Sequence, residues 1–594
     1  PPAGDTARAG WGTTNAAQAN AYHNRTDSDR FTIGATVNAH PFPWFRNRLT
    51  LGLDYTTGLA EVISPPGSVD AGFAGEPGGI VAQRYPRNLL YTVDYAGNVD
   101  VTLSADVLST TSFGVQATAR RRETLLASGR GFGSPDVTLI GTAQVTAGSN
   151  SFVESKNLGY FVQEQIGWKN RLFVTGAVRA DDHSAFGRAF DVILYPKASV
   201  AWILSEEPGL ARWLDAARVT NFKLRAAYGH AGRAPDPFAA TQTYTVDRAV
   251  VSDSVRSALR ALAFGNDSLR AERGEELEIG FDAGLLDDRV GIEFTYYNRR
   301  MDDVIISTGV PGSTGFGGTF YGFTQAQLRN LGEISNTGIE VAISATPVQL
   351  REFVWDSRIA LSTNDNELIS FGDPGRINLI PGGQSYGQVQ QHREGYPLAG
   401  YWSRLPLRNP DRTPVLVGTA VQLDTATYIG PSAPTREISV ANTFTLFRDF
   451  RLFILFDHKG GHYLFNQREF DRCRLRANCA RLADPRNVDP AAGTVLNPEA
   501  RVWQQNIPAV WIEPADFIKL RDVSLTYTVP PAWARRVRAS TASITLAAHN
   551  LAQWTDYSGI DPEVNSYGDV NFSRADAYPA PMLRRLSLSV NVGF

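Results

Sequence analysis

The stretch Leu586-Ser-Leu-Ser-Val-Asn-Val-Gly-Phe594 decides the fold. Apolar residues occupy every second position, and Ser, Asn and Gly stand between them. Successive side chains of a β-strand point to opposite faces, so this pattern places one face against an apolar medium and the other against water. The stretch therefore predicts a strand of a membrane β-barrel.

The same alternation recurs from end to end, for example in residues 31–39, 49–55 and 89–95. Runs of this kind give roughly 17 or 18 candidate strands. They lie near residues 30–40, 48–57, 88–104, 110–121, 157–168, 171–182, 191–204, 219–231, 274–285, 289–304, 333–347, 351–364, 396–405, 434–446, 450–460, 515–528, 540–550 and 582–594. Helical periodicity is confined to short segments near 209–215 and 469–482.

Connector lengths distinguish a membrane barrel from a soluble sandwich. Short connectors, such as 169–171, 287–289 and 448–450, alternate with long ones at 58–87, 122–155, 232–272, 305–332, 365–395 and 461–512. Outer-membrane barrels have short periplasmic turns and long extracellular loops. Structureless loops of such length are uncommon in a compact soluble domain. Interfacial girdles are also predicted from aromatic residues near strand ends, namely Trp44, Phe45, Trp168, Trp202, Tyr296, Tyr297 and Trp511.

Composition excludes some classes of function. The 594 residues carry a formal charge of -3, so no basic excess is present to neutralise nucleic-acid phosphates, and no nucleic-acid partner is expected. No apolar run reaches the roughly 18 to 20 residues of a membrane-spanning helix. The mean hydropathy of -0.21 fits a soluble protein and a barrel equally well.

The two cysteines, Cys473 and Cys479, stand close together in one long predicted loop. This spacing suits a loop disulfide formed in an oxidising compartment such as the periplasm or the cell exterior. A metal site is the alternative, and it would need further ligands, for which His458 and His462 are the nearest histidines. We expect the disulfide, with no metal and no cofactor.

One motif resembles a known family. The segment Asn330-Leu-Gly-Glu-Ile-Ser-Asn-Thr-Gly-Ile-Glu340 is similar to the N-x-G-x-I-x-N-x-G-x-E signature of TonB-dependent receptors, most of all the SusC/RagA branch. Further stretches agree with the family's barrel half, at residues 160–167, 179–187, 195–202, 517–527 and 549–563. The resemblance implies an all-β, large antiparallel transmembrane barrel with residues 1–594 as its C-terminal majority.

The residue types in the motif also predict structural roles. Gly332 and Gly338 suit tight backbone geometry, and Asn330 and Asn336 suit hydrogen bonds to local backbone. Glu340 lies opposite the apolar residues beside it, so it is predicted to face the lumen. A structural network is favoured over substrate ligation for these five residues.

The resemblance implies parts that this chain does not match. Receptors of the class have an N-terminal plug inside the barrel and, ahead of it, a segment that contacts TonB. Their barrels close with about 22 strands, so the candidate count falls about four short. We therefore expect the plug and the first strands to lie outside this sequence. Phe594 corresponds to the terminal aromatic that outer-membrane assembly recognises in such barrels.

No converging catalytic constellation is evident, and no enzyme is predicted. Residues 181–184, Asp-Asp-His-Ser, are adjacent, whereas catalytic groups converge from separate segments. Carboxylates assigned to lumen-facing positions are expected to line a solute path or to be hydrated or paired with arginine, namely Asp54, Asp94, Glu164, Glu278 and Glu340.

The function expected from the resemblance is TonB-dependent uptake of a bulky nutrient, an oligosaccharide or a peptide, across the outer membrane. Expected partners are TonB, outer-membrane lipids, a SusD-like surface lipoprotein and a second copy of the pair. Loop aromatics that could stack on sugars are Tyr321, Phe323, Tyr386 and Tyr401. A passive porin or structural barrel without a plug is the alternative, and a soluble carbohydrate-binding β-protein disagrees with the apolar face of 582–594.

Overall fold

The computed structural model describes residues 23–66, 78–134, 136, 139–184, 192–251, 254–309, 319–320, 323–324, 326–372, 378–379, 389–474, 479–489, 494–566, 574–577 and 579–594. Of the loop aromatics proposed from sequence, Tyr321 and Tyr386 lie outside these residues, as does the side chain of Phe323.

Strands make up most of the described chain. In the first half they are β1 (His23–Phe42), β2 (Phe45–Ser64), β3 (Ile80–Ser104), β4 (Val107–Arg130), β5 (Val145–Trp168), β6 (Leu172–His183), β7 (Ile193–Ile203), β8 (Val219–Arg233), β9 (Thr243–Val251), β10 (Ser254–Ala263), β11 (Glu272–Leu285), β12 (Val290–Gly309), β13 (Thr319–Phe320), β14 (Phe323–Thr324) and β15 (Ala326–Gln349). In the second half they are β16 (Phe353–Thr363), β17 (Asp365–Ser370), β18 (Asn378–Leu379), β19 (Gln390–His392), β20 (Gly400–Pro406), β21 (Leu416–Val417), β22 (Ala420–Val421), β23 (Leu423–Gly430), β24 (Arg436–Leu446), β25 (Phe450–Gly460), β26 (Tyr463–Phe465), β27 (Ile512–Pro514), β28 (Phe517–Thr528), β29 (Thr541–Thr555) and β30 (Arg585–Gly593).

Helices are short, as the sequence predicts. They are α1 (Pro208–Ala216), α2 (Gln467–Arg474), α3 (Ala480–Ala483), α4 (Pro498–Gln504) and α5 (Pro531–Ala534). No helix within the described residues has the length and apolar character to cross a membrane.

Eighteen strands form one antiparallel sheet, here called the wall: β1–β8, β11, β12, β15–β17, β24, β25 and β28–β30. Wall strands pair in chain order except around β15, which pairs with β16 along one part of its length and with β17 along another. The order then continues from β16 to β24. Among the described residues, β1 pairs only with β2, and β30 pairs only with β29. The wall therefore has two open edges.

Most connections between wall strands alternate between short and long. Tight turns join β1 to β2, β5 to β6 and β24 to β25, whereas long segments join β8 to β11, β17 to β24 and β25 to β28. Because neighbouring strands are antiparallel, these tight turns lie at one end of the wall, the turn end, and these long segments lie at the other, the loop end. The turn end also has two longer connections, β7 to β8 with α1 and β28 to β29 with α5. This is the arrangement of an outer-membrane barrel.

The two faces of the wall differ in chemistry. One face, the outer face, carries exposed apolar side chains such as Phe31 (57% exposed) and Leu588 (69% exposed). The other, the lumen face, carries ion pairs and hydrogen bonds, including Arg30 to Asp54 across β1 and β2. The outer face fits lipid and the lumen face fits water, as alternation predicts.

Two predicted segments take different places from those expected. Segment 396–405 was predicted to be a wall strand, but β20 belongs to a separate four-stranded sheet with β18, β19 and β23. Its first four residues are all buried, so it lacks the two-faced environment of a wall strand. Segment 365–395 was predicted to be a loop, yet β17 at its start joins the wall.

Three long connections at the loop end fold together around a common apolar cluster, the loop core. It contains Tyr401, Phe465, Phe470 and Trp511 with the disulfide between Cys473 and Cys479, whose Cα atoms are 4.9 Å apart. Both cysteines are buried. These loops are thus a packed cap and not independent chains, since each supplies residues that the others bury.

Candidate functional site

The motif near residue 330 fixes the loop end of β15. The Asn330 side chain donates to the backbone oxygens of Arg270 (2.9 Å) and Asp303 (2.8 Å) and accepts from the Arg270 amide (2.9 Å). The backbone hydrogen bonds expected from sequence are therefore made, but to residues distant in the chain and not to local ones. Asn330 ties the segment before β11 to the wall.

The second half of the motif makes a polar network on the lumen face. The Asn336 carbonyl oxygen accepts from the Asn366 amide at 2.9 Å. The Tyr297 hydroxyl lies 2.9 Å from the Thr363 carbonyl oxygen and 3.0 Å from the Asn364 side-chain oxygen. A Cβ at residue 338 would overlap both the Thr363 carbonyl and the Tyr297 hydroxyl, so only glycine permits this approach.

Gly332 has the same kind of role beside apolar side chains. A Cβ there would lie 2.7 Å from the Ile306 Cδ1 atom. Glu340 is on the lumen face and lines a cavity of about 540 Å³ together with Tyr297 and Glu278. Within the motif, the two asparagines thus make hydrogen bonds, the two glycines allow close approach of neighbouring groups, and Glu340 reaches open space.

A large cavity lies where the lumen face meets the loop end. Its volume is about 1030 Å³, and both the wall and the capping loops line it. Beside the carboxylates of Asp236, Glu272 and Asp365, three groups of side chains contribute: guanidinium groups, asparagine amides and aliphatic chains. They belong to Arg233, Arg299 and Arg574, to Asn336, Asn364 and Asn366, and to Met301, Val304, Ile334 and Leu398.

This lining is suited to binding a polar, bulky solute. Guanidinium groups bind carboxylates and phosphates, and amides donate and accept hydrogen bonds. The aliphatic side chains form one apolar patch, since Met301, Val304 and Leu398 pack on the buried cluster of Ile334, Leu368 and Phe371. Within the described residues, Arg299 forms no ion pair, so its charge is available in the cavity.

A buried charge cluster holds the capping loops to the wall beside this region. The Lys519 ammonium, only 4% exposed, lies 2.7 Å from Asp561 and 2.6 Å from Glu563. Arg521 lies 2.7 Å from Asp457 and also pairs with Glu563. The sequence signal for this cluster is two spaced pairs, Lys519-x-Arg521 and Asp561-x-Glu563, within residues 517–527 and 549–563.

Two titratable side chains of the cap are deeply buried. Burial lowers the pKa of His392 to about 4, and its Nδ1 atom accepts from the Ala399 amide at 3.1 Å. Burial, with the nearby charge of Arg574, lowers the pKa of His462 to about 4. Both rings are therefore neutral when the cap is packed at neutral pH.

One carboxylate lies on the face opposite to that predicted. Glu164 was assigned to the lumen with Asp54, Asp94, Glu278 and Glu340, but it shares the outer face with Tyr160 and Val162, which are 51% and 46% exposed. The Ser109 and Thr111 hydroxyls donate to its two oxygens at 2.5 Å and 2.6 Å. Cross-strand hydroxyls thus stabilise a carboxylate that cannot line a solute path.

Some aromatic predictions also change. Tyr401 was expected to be available for stacking on sugars, but it is completely buried, and its hydroxyl accepts from the Phe465 amide at 3.1 Å. Trp511, predicted at a membrane interface, is 1% exposed in the loop core. Trp44, Trp168 and Trp202 are 50%, 37% and 39% exposed at the turn end, where a girdle is expected.

Residues 181–184 show no catalytic convergence. Asp181 is paired with Arg179 at 2.8 Å, and the Ser184 hydroxyl accepts from the Lys156 amide at 2.8 Å. In the part of the chain that the structure describes, no three His, Cys, Asp or Glu side chains are grouped as metal ligands.

Known proteins resemble this chain along nearly its whole length. The family model described as TonB dependent receptor-like, beta-barrel matches residues 1–592. TonB-dependent receptor P3 of Formosa agariphila is 24% identical over 513 residues, which cover 80% of this chain and 49% of that protein. TonB-dependent receptor SusC of Bacteroides thetaiotaomicron is 24% identical over 604 residues, which cover 96% of this chain and 56% of that protein.

A solved structure shares the fold. The RagAB peptide importer in its closed-closed state superposes with a TM-score of 0.77 at 17% identity, over 97% of this chain and 63% of that chain. This chain spans about half the length of the curated relatives that it matches. The resemblance to the SusC/RagA branch predicted from residues 330–340 is confirmed. With its two-faced antiparallel wall and its match over residues 1–592, the chain belongs to the TonB-dependent receptor-like β-barrel family of the bacterial outer membrane.

Proposed function

We propose that this chain forms the wall and cap of a transporter that takes up a bulky nutrient across the outer membrane with energy delivered by TonB. The observation that carries the proposal is the cavity of about 1030 Å³ at the loop end, lined jointly by wall and cap. A solute entering from outside meets this cavity before the lumen. The family to which the chain belongs consists of receptors and transporters and not of enzymes.

The rigid wall and the moving parts of the transporter have different roles in this proposal. The wall strands are hydrogen-bonded to their neighbours, so the wall is a fixed frame, and access changes by movement of parts that are not in it. In our proposal residues 1–594 are the C-terminal majority of the receptor's barrel. A plug, a segment that contacts TonB and the first barrel strands belong to the rest of the full-length protein. TonB, driven by the inner-membrane proton gradient, acts on that plug.

The partners proposed here are outside the wall. A SusD-like surface lipoprotein would cover the cavity from the loop end, and two such pairs would associate as a dimer. The likeness to RagAB, whose name joins two components and describes a peptide importer, supports the lipoprotein and the peptide class of solute. The likeness to SusC supports the same transporter class.

The energy source is tested by uptake in cells. Cells that produce the full-length receptor should accumulate its nutrient, and a protonophore or a tonB deletion should abolish uptake while leaving the receptor in the membrane. A passive porin, the alternative, would continue to admit solute after either treatment and would conduct ions steadily in a planar bilayer. That result would overturn the proposal.

Substitution of two neighbouring arginines tests whether the cavity binds the solute. Arg299 lines the cavity, whereas Arg300 pairs with Asp302 at 3.5 Å on the outer face. A hydrogen bond from a charged group contributes about 1.5–3 kcal/mol, so Arg299→Gln should weaken solute binding about tenfold or more. Arg300→Gln should leave binding unchanged. Equal affinity of the two variants, measured by titration calorimetry with the purified receptor, would exclude the cavity as the binding site.

A further inference from the structure

Three basic side chains cluster on the outer face of adjacent wall strands. Arg87 is on β3, Arg121 on β4 and Lys156 on β5. Across the ladder, Arg87 is opposite Glu123, and Arg121 is two residues from that position. Lys156 is opposite Ala119, again two residues from Arg121 on the same face. The three side chains therefore meet on one surface.

Aromatic rings hold two of these cations in place. The Arg87 guanidinium lies 5.6 Å from the centre of the Tyr55 ring, and the Arg121 guanidinium lies 4.7 Å from that of Phe152. Stacking limits the rotamers of a guanidinium and leaves its edge free to donate. The three side chains remain 56%, 51% and 66% exposed for Arg87, Arg121 and Lys156.

Two carboxylates offset part of the charge. Glu123 lies 3.6 Å from Arg87 and 2.7 Å from the Nε atom of Arg121, and Glu154 lies 2.7 Å from Lys156. Three cations against two anions leave the cluster with one excess positive charge. Exposed ion pairs are weak, so each cation can accept a second anionic partner without losing a strong interaction.

The height of the cluster on the wall is informative. A tilted strand crosses the apolar layer of a membrane in about 10 residues. If the apolar layer begins at the turn end of β3 (Ser104) and of β5 (Trp168), about 10 residues of strand reach Tyr95 on β3 and Leu158 on β5. The loop-side limit of the layer is therefore near these two residues. The exposed rings of Tyr91 and Tyr160 lie close to that limit, as an aromatic girdle does. All three cations lie on the loop side of it, with Lys156 two residues beyond Leu158, Arg87 eight residues beyond Tyr95, and Arg121 opposite Leu89.

We propose that Arg87, Arg121 and Lys156 form a binding site for the phosphate groups of a lipid headgroup in the outer leaflet. Clusters of arginine and lysine at the level of headgroups recognise anionic lipids, and guanidinium groups bind phosphate oxygens in pairs. The apolar side chains Val93 and Val162 below the cluster would contact the acyl chains of the same lipid. A bound lipid of this kind would anchor the wall in the outer leaflet and set its height there.

This site depends on the position of the wall in the outer membrane and not on solute uptake. Its failure would therefore leave the proposed transport function untouched, and failure of transport would not remove it. The test uses the full-length receptor in detergent, with lipid retention measured by native mass spectrometry. The probes are bis-phosphorylated lipid A, phosphatidylethanolamine and inorganic phosphate.

Variants that remove positive charge and a variant that removes negative charge should change lipid binding in opposite directions. The triple variant Arg87→Gln, Arg121→Gln, Lys156→Gln should bind lipid A about tenfold or more weakly, which corresponds to about 1.4 kcal/mol or more. Glu123→Gln removes a competing carboxylate and should bind lipid A more tightly than the unchanged receptor. Arg25→Gln is the matched control, since Arg25 is also exposed on the outer face and pairs with Asp27 at 2.8 Å.

Each other outcome counts against the proposal. Equal retention of lipid A by the triple variant and the unchanged receptor would overturn it, as would an equal loss in Arg25→Gln. Displacement of lipid A by equimolar inorganic phosphate would show a simple anion site. Equal retention of phosphatidylethanolamine would show that the headgroup phosphates are not recognised. The Glu123→Gln variant keeps the proposal falsifiable if the triple variant does not fold, because weaker binding by that variant would also contradict it.

Discussion

Position 338 has no space for a side chain, and this leads to a test at the scale of one residue. A Cβ there would overlap the Thr363 carbonyl and the Tyr297 hydroxyl, both of which belong to the network around the motif. Gly338→Ala should therefore lower the free energy of unfolding by about 1–3 kcal/mol, the usual cost of overpacking. The measurement is the temperature at which the folded barrel loses its fast migration in gel electrophoresis.

Gly176 provides the control for this substitution. It is also a wall glycine, on β6, but a Cβ at that position would meet no atom within 4 Å. Gly176→Ala should shift the unfolding temperature little. If both variants unfold at the same temperature, the close approach at Gly338 does not constrain the wall.

The position of Glu164 shows that alternation alone does not always predict which face of a strand a residue occupies. Residues 160–164, Tyr-Phe-Val-Gln-Glu, carry apolar side chains on both faces, so the face of the carboxylate is ambiguous in sequence. The ladder with β4 decides it, because Thr111 opposite Glu164 is on the outer face. Glu340 lacks this ambiguity, since Ile339 and Val341 both mark the outer face, and its side chain lines a cavity on the lumen face.

At the scale of elements, the cap should respond to acid. His392 and His462 are buried with pKa values lowered to about 4, whereas an unfolded histidine titrates near 6.5. The unfolded cap therefore binds protons more readily, and the stability that these rings provide, present above pH 6.5, is lost as the pH falls from 6.5 toward 4. The loss is roughly 1.4 kcal/mol per pH unit for each ring.

Hydrogen exchange of the cap at pH 7.0, 5.5 and 4.5 measures this effect. Exchange of the segments around β19 and β26 should accelerate with acid after correction for the intrinsic rate, while the wall strand β29 should change less. The double variant His392→Gln, His462→Gln should lose most of the dependence on pH. An unchanged pH dependence in that variant would assign the effect to other groups.

Prediction from sequence succeeds for wall elements and fails for the cap. Wall strands such as β30 face lipid on one side and water on the other, so period-2 alternation reveals them. The cap strand β20 begins with four buried residues because tertiary contacts surround it, and nothing local distinguishes it from a wall strand. The convergence of three loops into one core, and the cavity beside it, depend on contacts between segments far apart in sequence.

At the scale of the whole molecule, the wall has a defined orientation in the membrane. Val417 is 66% exposed in a hairpin of the loop end, and Trp213 is 78% exposed on α1 at the turn end. In intact cells, a membrane-impermeant maleimide should label Val417→Cys and not Trp213→Cys. After the cells are lysed, both should react. Labelling of Trp213→Cys alone in intact cells would reverse the orientation.

The two open edges of the wall impose a rule on what can join them. Strand β1 leads into a tight turn, and β30 follows a long loop, so both run from the loop end to the turn end. Two strands of equal polarity cannot be antiparallel neighbours. An all-antiparallel ring completed between them therefore needs an odd number of intervening strands, and an even number, such as the four expected from sequence, would force one parallel pair. The eighteen wall strands occupy seventeen positions, because β16 and β17 follow one another along the same side of β15. An odd number of added strands therefore gives an even-numbered ring, as in single-chain bacterial barrels.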